Sequence, residues 1–160
     1  MMMEKVATDY VELRFGPRWT YISSVRKFVA NFFMIGLADK ERAECISMAA
    51  SELLENAVKY ASEDEGYLKI TIAKGEHEVD VCVKNKAEPH HINTLRRELA
   101  LIHAGQPEQV YLRKMEEAAM TEGQSRLGLA RIRYEARAEL RLEVNDGEVS
   151  IHAIFDLEQA

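Results

Sequence analysis

The sequence has few of the residues that organise secreted, metal-binding or membrane proteins. It contains only two cysteines, Cys45 and Cys82, which lie far apart and lack the CxxC spacing of zinc and redox motifs. We therefore expect neither a disulfide framework nor a zinc site, and we expect both thiols to be reduced and buried. No apolar run approaches the ~20 residues that a membrane-spanning helix needs, and the first residues lack the apolar core of a signal peptide. These absences predict a cytoplasmic protein that does not act at a membrane.

Positive charge is also scarce. The chain carries 21 Lys and Arg against 27 Asp and Glu, for a formal net charge of −6. Affinity for nucleic acid depends largely on clusters of Lys and Arg, so direct nucleic-acid binding is not expected. A length of 160 residues suits one domain over residues 1–160 with a sizeable core.

Hydrophobic periodicity predicts an α+β fold. Alternating or helically spaced apolar residues indicate the order β, α, α, β, β, α, α, loop, α, β, β. Gly36 is predicted to cap the first helix, Asp39 to begin the second, residues 62–66 to form a turn, and Asn145-Asp146-Gly147 to join the last two strands. The predicted elements are strands at 8–15, 68–72, 79–83, 140–144 and 149–155, and helices at 19–34, 39–61, 90–104, 107–120 and 127–136. This order favours a two-layer sandwich, in which helices cover one face of a mainly antiparallel sheet.

The second predicted helix carries an unusual polar stripe. At 100° per residue, Glu52, Asn56 and Lys59 fall within roughly 60° of one another, opposite an apolar face. Asn is a poor choice inside a helix because its side chain competes for backbone hydrogen bonds. One interpretation is an ordinary solvated face with a hydrogen bond between residues one turn apart. The other is a phosphate and magnesium site, since a carboxylate can act as general base, an amide oxygen can bind Mg²⁺ and an ammonium group can offset phosphate charge.

The pattern Glu52-x-x-x-Asn56-Ala57-x-Lys59-Tyr60 resembles the N-box of the GHKL (Bergerat-fold) ATP-binding superfamily, which includes gyrase, mismatch-repair and histidine-kinase ATPase domains. Residues 26–52, which lead into this motif, are most similar to the bacterial anti-sigma-factor serine/threonine kinases. The resemblance implies a histidine-kinase-like ATPase fold, with Mg-ATP between the helices and a mobile lid at about residues 86–124. It also implies that Glu52 is the general base, Asn56 the Mg²⁺ ligand and Lys59 a phosphate-neutralising cation.

The first glycine box of the family is degenerate in this chain. Where the family has Asp-x-Gly-x-Gly, the sequence reads Asn85-Lys86-Ala87-Glu88-Pro89. By resemblance Asn85 takes the place of the aspartate that accepts a hydrogen bond from adenine. An amide oxygen still accepts, but it lacks the charge that roughly doubles the strength of such a bond.

The second glycine box is degenerate as well. It reads Gly123-Gln-Ser125-Arg126-Leu127-Gly128-Leu129, in which Gly128 and Leu129 match the start of the family's phosphate-binding helix. Arg126 replaces a glycine, and would either crowd the site or contact a phosphate itself. The resemblance assigns Gly123, Ser125, Arg126 and Gly128 to the nucleotide, together with the three polar residues Asn56, Lys59 and Asn85.

Two further features have alternative interpretations. Most aromatic side chains of the first helix are expected in the core, although some could form a homodimer contact; they are Trp19, Tyr21, Phe28, Phe32 and Phe33. The region after the lid is basic and is either a solvated face or a docking surface for an acidic partner; it contains Arg126, Arg131, Arg133, Arg137 and Arg141. His90 and His91 are adjacent and without a suitably spaced metal ligand, which favours an ordinary histidine pair in the lid.

Two functions follow from these observations. The first is a bacterial regulatory protein of the anti-sigma-factor serine-kinase type, which binds Mg-ATP and phosphorylates or sequesters a partner such as a sigma factor or an anti-sigma antagonist. The second is a binding module that keeps the fold and regulates its partner without nucleotide turnover, because the residues that hold adenine and phosphate have been replaced. A third interpretation, a stand-alone domain related to histidine kinases, is disfavoured because no dimerisation helix with an exposed histidine is evident.

Overall fold

The structure is a computed structural model, which describes residues 8–37, 39–73, 77–120 and 127–157. These residues form five strands and five helices. Their bounds are β1 (Thr8–Phe15), α1 (Trp19–Leu37), α2 (Lys40–Tyr60), β2 (Ala61–Ala73), β3 (Glu78–Ala87), α3 (Pro89–His103), α4 (Pro107–Met120), α5 (Leu127–Tyr134), β4 (Glu139–Asn145) and β5 (Glu148–Asp156).

The strands form one sheet in the order β1-β2-β3-β5-β4, and every neighbouring pair is antiparallel. Alternate side chains such as Ile70, Val81 and Ile151 are buried on the face that packs against the helices. The opposite face, which we call the outer face, carries polar and charged side chains such as Lys69 and Asp80. The predicted α+β two-layer sandwich is therefore confirmed.

Helices α1 and α2 form the centre of the helical layer. Val29 and Phe33 of α1 and Ile46, Leu53 and Leu54 of α2 are essentially inaccessible to solvent. As predicted, Asp39 caps α2, because its carboxylate accepts a hydrogen bond from the Arg42 backbone N–H at 3.2 Å. With the apolar face of α2 fixed against the core, its polar stripe faces the space between α2, α3 and α5.

The turn predicted at residues 62–66 is wrong, because this acidic segment belongs to strand β2. The sheet continues on both sides of this segment, because Gly66 pairs with Phe15 of β1 and Asn85 of β3, and Ala61 pairs with Ala87 of β3. The register between Ala61 and Gly66 is irregular. A Cβ on Gly66 would lie 2.6 Å from the Phe15 ring, so the glycine allows this close approach. Ion pairs to β1, β3 and the β1–α1 turn stabilise the segment; they are Arg14–Glu65, Arg18–Asp64 and Lys86–Glu63.

The end of α1 also differs from the prediction. Gly36 is not a cap but lies within the helix, which continues to Leu37. A Cβ on Gly36 would lie 2.9 Å from the Ile72 side chain of β2, so close packing against the sheet explains the glycine. Helix α5 likewise ends at Tyr134 and not at Ala136.

The aromatic residues of α1 are less buried than predicted. Phe33 is fully buried and Phe32 partly, whereas Trp19, Tyr21 and Phe28 are 56%, 50% and 43% exposed. Most of this aromatic content therefore lies at the surface.

The predicted β4–β5 turn is confirmed, whereas the prediction that both thiols are buried is correct for Cys82 and wrong for Cys45. Asp146 and Gly147 have φ of 51° and 80°, as a tight turn between β4 and β5 requires. Both cysteines are free, Cys82 buried but Cys45 only half-buried. Among the helices of the described ranges, none has both the length and the apolar character to cross a membrane.

Candidate functional site

The polar stripe of α2 lines a pocket together with α3 and α5. Glu52 and Asn56 are half-buried, whereas Lys59 in the last turn is exposed. The pocket lies beside these three residues and is closed on the other sides by His91, Thr94, Leu95 and Glu98 of α3 and by Gly128 and Leu129 of α5. The structure thus brings four of the predicted site residues to one place: Glu52, Asn56, Lys59 and Gly128.

Glu52 has an unusual electrostatic environment. Burial, followed by the charge of Glu55 one turn away, raises the pKa of its carboxyl above the ordinary 4.5. Arg131 and Lys59 act in the opposite direction, and the Arg131 Nη1 atom lies 3.4 Å from Glu52 Oε1. A carboxylate with a raised pKa is a stronger base than an exposed one, as proton abstraction requires.

Arg131 is held in place by a short hydrogen-bonded chain. Its Nε donates to Glu135 Oε2 at 2.7 Å, and the hydroxyl of Tyr111 on α4 donates to Glu135 Oε1 at 3.0 Å. The chain Tyr111–Glu135–Arg131–Glu52 therefore links helix α4 of the predicted lid to the candidate base. No local pattern predicts the contact between Arg131 and Glu52, because the two residues are 79 positions apart.

Gly128 is required by the close approach of α5 to α2. A Cβ at this position would collide with the Glu52 carboxylate. The backbone at the start of α5 therefore lies directly against the candidate base. This placement fits the role that the sequence assigned to Gly128, since amides at a helix N-terminus favour negative charge.

Helix α3 closes most of the space beside the stripe. The enclosed pocket has a volume of only about 40 Å³, and the His91 ring packs on Tyr60 with ring centroids 5.1 Å apart. Glu98 of α3 also accepts a hydrogen bond at 2.7 Å from Lys114 of α4, in a pair that is about nine-tenths buried on both sides. Helices α3 and α4 are thereby joined.

Asn85, at the end of β3, lines a second small pocket on the far side of Asn56, with a volume of about 20 Å³. The two asparagines and His91 thus border one continuous strip beneath α3. The Asn85 amide nitrogen donates to the Lys86 carbonyl at 3.2 Å, so its side-chain oxygen is the atom of the amide that can accept a hydrogen bond.

The oxygen ligands around the pocket suit Mg²⁺, but the volume of the pocket is small for a nucleotide. The amide oxygen of Asn56 and the carboxylate oxygens of Glu52 are hard ligands of the kind that Mg²⁺ prefers. Among the described residues, however, no group of three His, Cys, Asp or Glu side chains could hold a metal alone, so magnesium here would depend on phosphate oxygens too. Pockets for small-molecule ligands measure roughly 300–1,000 Å³, so with α3 in this position the described residues enclose less space than a nucleotide fills.

His91 is the residue that sequence reasoning undervalued. Its Nδ1 atom is buried and has no hydrogen-bond partner among the described residues, although the ring faces the pocket. The adjacent His90 ring lies 4.0 Å away. The unpaired nitrogen and the pocket beside it mark His91 as a candidate site residue. Both features depend on how α3 packs, so they are absent from the sequence.

Three predicted nucleotide contacts, Gly123, Ser125 and Arg126, lie outside the described residues. Of the remaining basic residues of this region, Arg137 and Arg141 are exposed, whereas Arg131 and Arg133 are half-buried. Arg131 pairs with Glu52 and Glu135, Arg133 donates to the carbonyls of Ile102 and Gly105, and Arg141 pairs with Glu139. Much of this charge is used within the molecule.

Replacing Arg131 by Met is expected to raise the pKa of Glu52 further, because the nearby guanidinium lowers it. Glu55→Gln is expected to lower the same pKa, since the neighbouring carboxylate raises it. Carbon-13 NMR titration of the glutamate carboxyl signals measures both shifts. Displacements of the same sign in the two variants would contradict this description of the site.

The site can be compared with known proteins. A family model described as the histidine kinase-like ATPase domain matches residues 15–133, a range that contains the α2 stripe and Gly128. The fold is similar to that of a chain in the crystal structure of the SiaB-SiaC complex from Pseudomonas aeruginosa, with a TM-score of 0.69 and 19% sequence identity over 91% of this chain and 89% of that one. Among curated proteins, none matches the sequence.

Proposed function

The chain belongs to the histidine kinase-like ATPase domain family, and on this basis we propose that it is a regulatory protein of the anti-sigma-factor kinase type. It binds Mg-ATP between α2 and the lid and phosphorylates a partner protein on a hydroxyl group. The similar fold in a two-protein complex supports a partner protein as the target.

One observation carries this proposal. Glu52 is a half-buried carboxylate with a raised pKa, positioned by Arg131 and lying one turn before Asn56 and next to the start of α5. An ordinary solvated helix face requires none of these features. A site for proton abstraction beside a phosphate can use each of them, because burial makes the carboxylate more basic, Arg131 orients it, and Asn56 and the start of α5 are groups that can hold phosphate and its metal.

Each residue then has a distinct role. Asn56 holds Mg²⁺ through its amide oxygen, Lys59 offsets phosphate charge, and Asn85 accepts from adenine. Mg-ATP, when bound, supplies the transferable phosphoryl group. Glu52 accepts the proton of the partner's hydroxyl, and Arg131 keeps the carboxylate charged and oriented. Gly123, Ser125, Arg126 and Gly128 are proposed to contact the phosphates.

The small pocket favours a second candidate function. With α3 packed on Tyr60 and only about 40 Å³ enclosed, the protein would act as a binding module that captures its partner without nucleotide. This alternative also explains why Asn85, Ala87, Pro89 and Arg126 replace the family's nucleotide-binding residues. It predicts that partner affinity does not change when ATP is added.

Calorimetric titration with ATP, with and without Mg²⁺, tests the choice. We expect magnesium-dependent binding that weakens at least about tenfold, or 1.4 kcal/mol, in Asn56→Ala, because the variant lacks the amide oxygen. Asn31→Ala, on the exposed surface of α1, is the matched control and is expected to bind like the unaltered protein.

The outcomes separate the two functions. No heat of binding up to millimolar ATP, a limit of about −4 kcal/mol, would reject the kinase proposal and support the nucleotide-independent module. Binding that is equally strong in Asn56→Ala and without magnesium would reject the role assigned to Asn56.

A further inference from the structure

The outer face of the sheet contains a second cluster of reactive side chains. Cys82 and Asp80 lie two residues apart on β3, and His152 of β5 is the direct cross-strand partner of Cys82. The cluster lies on the side of the sheet opposite α2. It is therefore separate from the candidate nucleotide site and independent of the proposed function.

The geometry orders the three groups in a line. His152 Nδ1 lies 3.0 and 3.1 Å from the two carboxylate oxygens of Asp80, and His152 Nε2 lies 3.6 Å from Cys82 Sγ. The carboxylate fixes a proton on Nδ1, which leaves Nε2 directed at the sulfur to take or return the thiol proton. A carboxylate, an imidazole and a thiol in this order form the arrangement that activates cysteine nucleophiles.

The remaining charged and titratable groups around the pair come from three strands. They are Tyr67 and Lys69 on β2, Lys84 on β3, and Glu139, Arg141 and Glu143 on β4. Lys69 is the cross-strand partner of Cys82 and its ammonium pairs with Glu12, whereas the Lys84 ammonium lies over the Tyr67 ring. Glu143 Oε2, 3.9 Å from His152 Nε2, favours the charged imidazole. Hydrogen bonds to Asp80 and then Cys82 raise the pKa of His152 to about 10, so the imidazole is charged at neutral pH.

We propose that Cys82 is a nucleophilic thiol and a site of covalent modification by peroxides and soft carbon electrophiles. With hydrogen peroxide, the thiolate sulfur attacks one oxygen and the O–O bond breaks. The departing hydroxide takes the proton of His152 and leaves as water. The sulfur, oxidised by two electrons, becomes a sulfenic acid, and the peroxide is reduced.

Exposure alone predicts that Cys45 reacts faster than Cys82, so the relative rates of the two cysteines test the proposal. Cys82 is only 4% exposed, whereas Cys45 on α2 is half-buried. The pKa of the Cys45 thiol is raised by burial and by the charges of Glu41 and Glu44. Among the described residues, the neighbours of Cys82 on the outer face are side chains of β2, β3 and β5, and rapid motion of side chains admits a small reagent.

The experiment is alkylation of the native full chain by iodoacetamide at pH 7, with the modified peptides of both cysteines quantified by mass spectrometry. The sulfur forms a bond to carbon and iodide leaves. We expect Cys82 to react about tenfold faster than Cys45, since the thiolate is the reactive form. In denaturant the two rates are expected to become equal.

Variants of the cluster test whether His152 and Asp80 cause the reactivity of Cys82. His152→Gln is expected to slow Cys82 to about the rate of Cys45, and Asp80→Asn to give an intermediate rate, while Cys45 is unaffected in both. If His152→Gln does not fold, the unaltered protein still decides the question, because the native rate of Cys82 is expected to exceed that of Cys45 and the difference to disappear in denaturant. Equal native rates, or a Cys82 rate that does not depend on His152, would overturn the proposal.

Discussion

Replacing Glu52 by Gln is expected to reduce phosphotransfer by about 10²- to 10⁴-fold, the usual contribution of a general base. Gln keeps the shape of the side chain but cannot accept the proton. The fold is expected to remain intact, since burial already favours the neutral form of this carboxyl. The measurement is transfer of the radiolabelled γ-phosphate of ATP to the captured partner protein and, without the partner, to water.

Glu55→Gln is the matched control for this prediction. It removes a carboxylate that lines the same pocket but lies one turn away from Glu52 along α2, and is expected to retain activity. Full activity in Glu52→Gln would remove Glu52 from the mechanism. An equal loss in both variants would indicate a general requirement for negative charge at the site and not a specific base.

The pH dependence of phosphotransfer follows from the direction in which the pKa of Glu52 is shifted. Glu52 must be deprotonated to accept a proton, so the rate is expected to fall as the pH drops through its pKa. Because burial raises that pKa above the ordinary 4.5, the rate is expected to fall at a higher pH than it would with an exposed glutamate as the base. This fall in rate at acidic pH should disappear in Glu52→Gln, where only residual activity remains.

Phe33→Ala is expected to lower the free energy of unfolding by about 3–5 kcal/mol, the usual cost of removing a fully buried ring. Phe33 has no accessible surface and packs edge-to-face on Phe32, with ring centroids 5.4 Å apart. It lies between α1 and the rest of the core, so the cavity would loosen the packing that fixes α2. Urea unfolding at 25 °C measures the loss.

Phe28→Ala provides a control on the same helix. Phe28 is 43% exposed and stacks on Phe32 with ring centroids 6.5 Å apart, so its removal is expected to cost less than about 1 kcal/mol. Similar costs for the two variants would mean that Phe28 is buried in solution, as in a homodimer contact, which the sequence left open as an alternative for these aromatic residues. Sedimentation of the unaltered protein would then show a dimer.

Predictability varied across the fold for identifiable reasons. Alternating residues located all five strands and the β4–β5 turn, because a half-buried strand and a positive-φ turn impose local requirements. The acidic segment at residues 62–66 was misjudged as a turn, since its strand geometry comes from pairing with β1 and β3. Gly36 was misjudged as a cap because the close approach of Ile72 that requires it comes from another element.

The sequence alone determined the α+β class, the helical stripe of Glu52, Asn56 and Lys59, and the resemblance that assigned them chemical roles. Only the tertiary structure decided which side chains meet that stripe: Arg131 and Gly128 from α5, and His91 from α3. It also decided that Cys82, His152 and Asp80 form one cluster. The physical reason is that periodicity specifies which face of an element is polar, whereas the partner of that face is chosen by packing between elements distant in the chain.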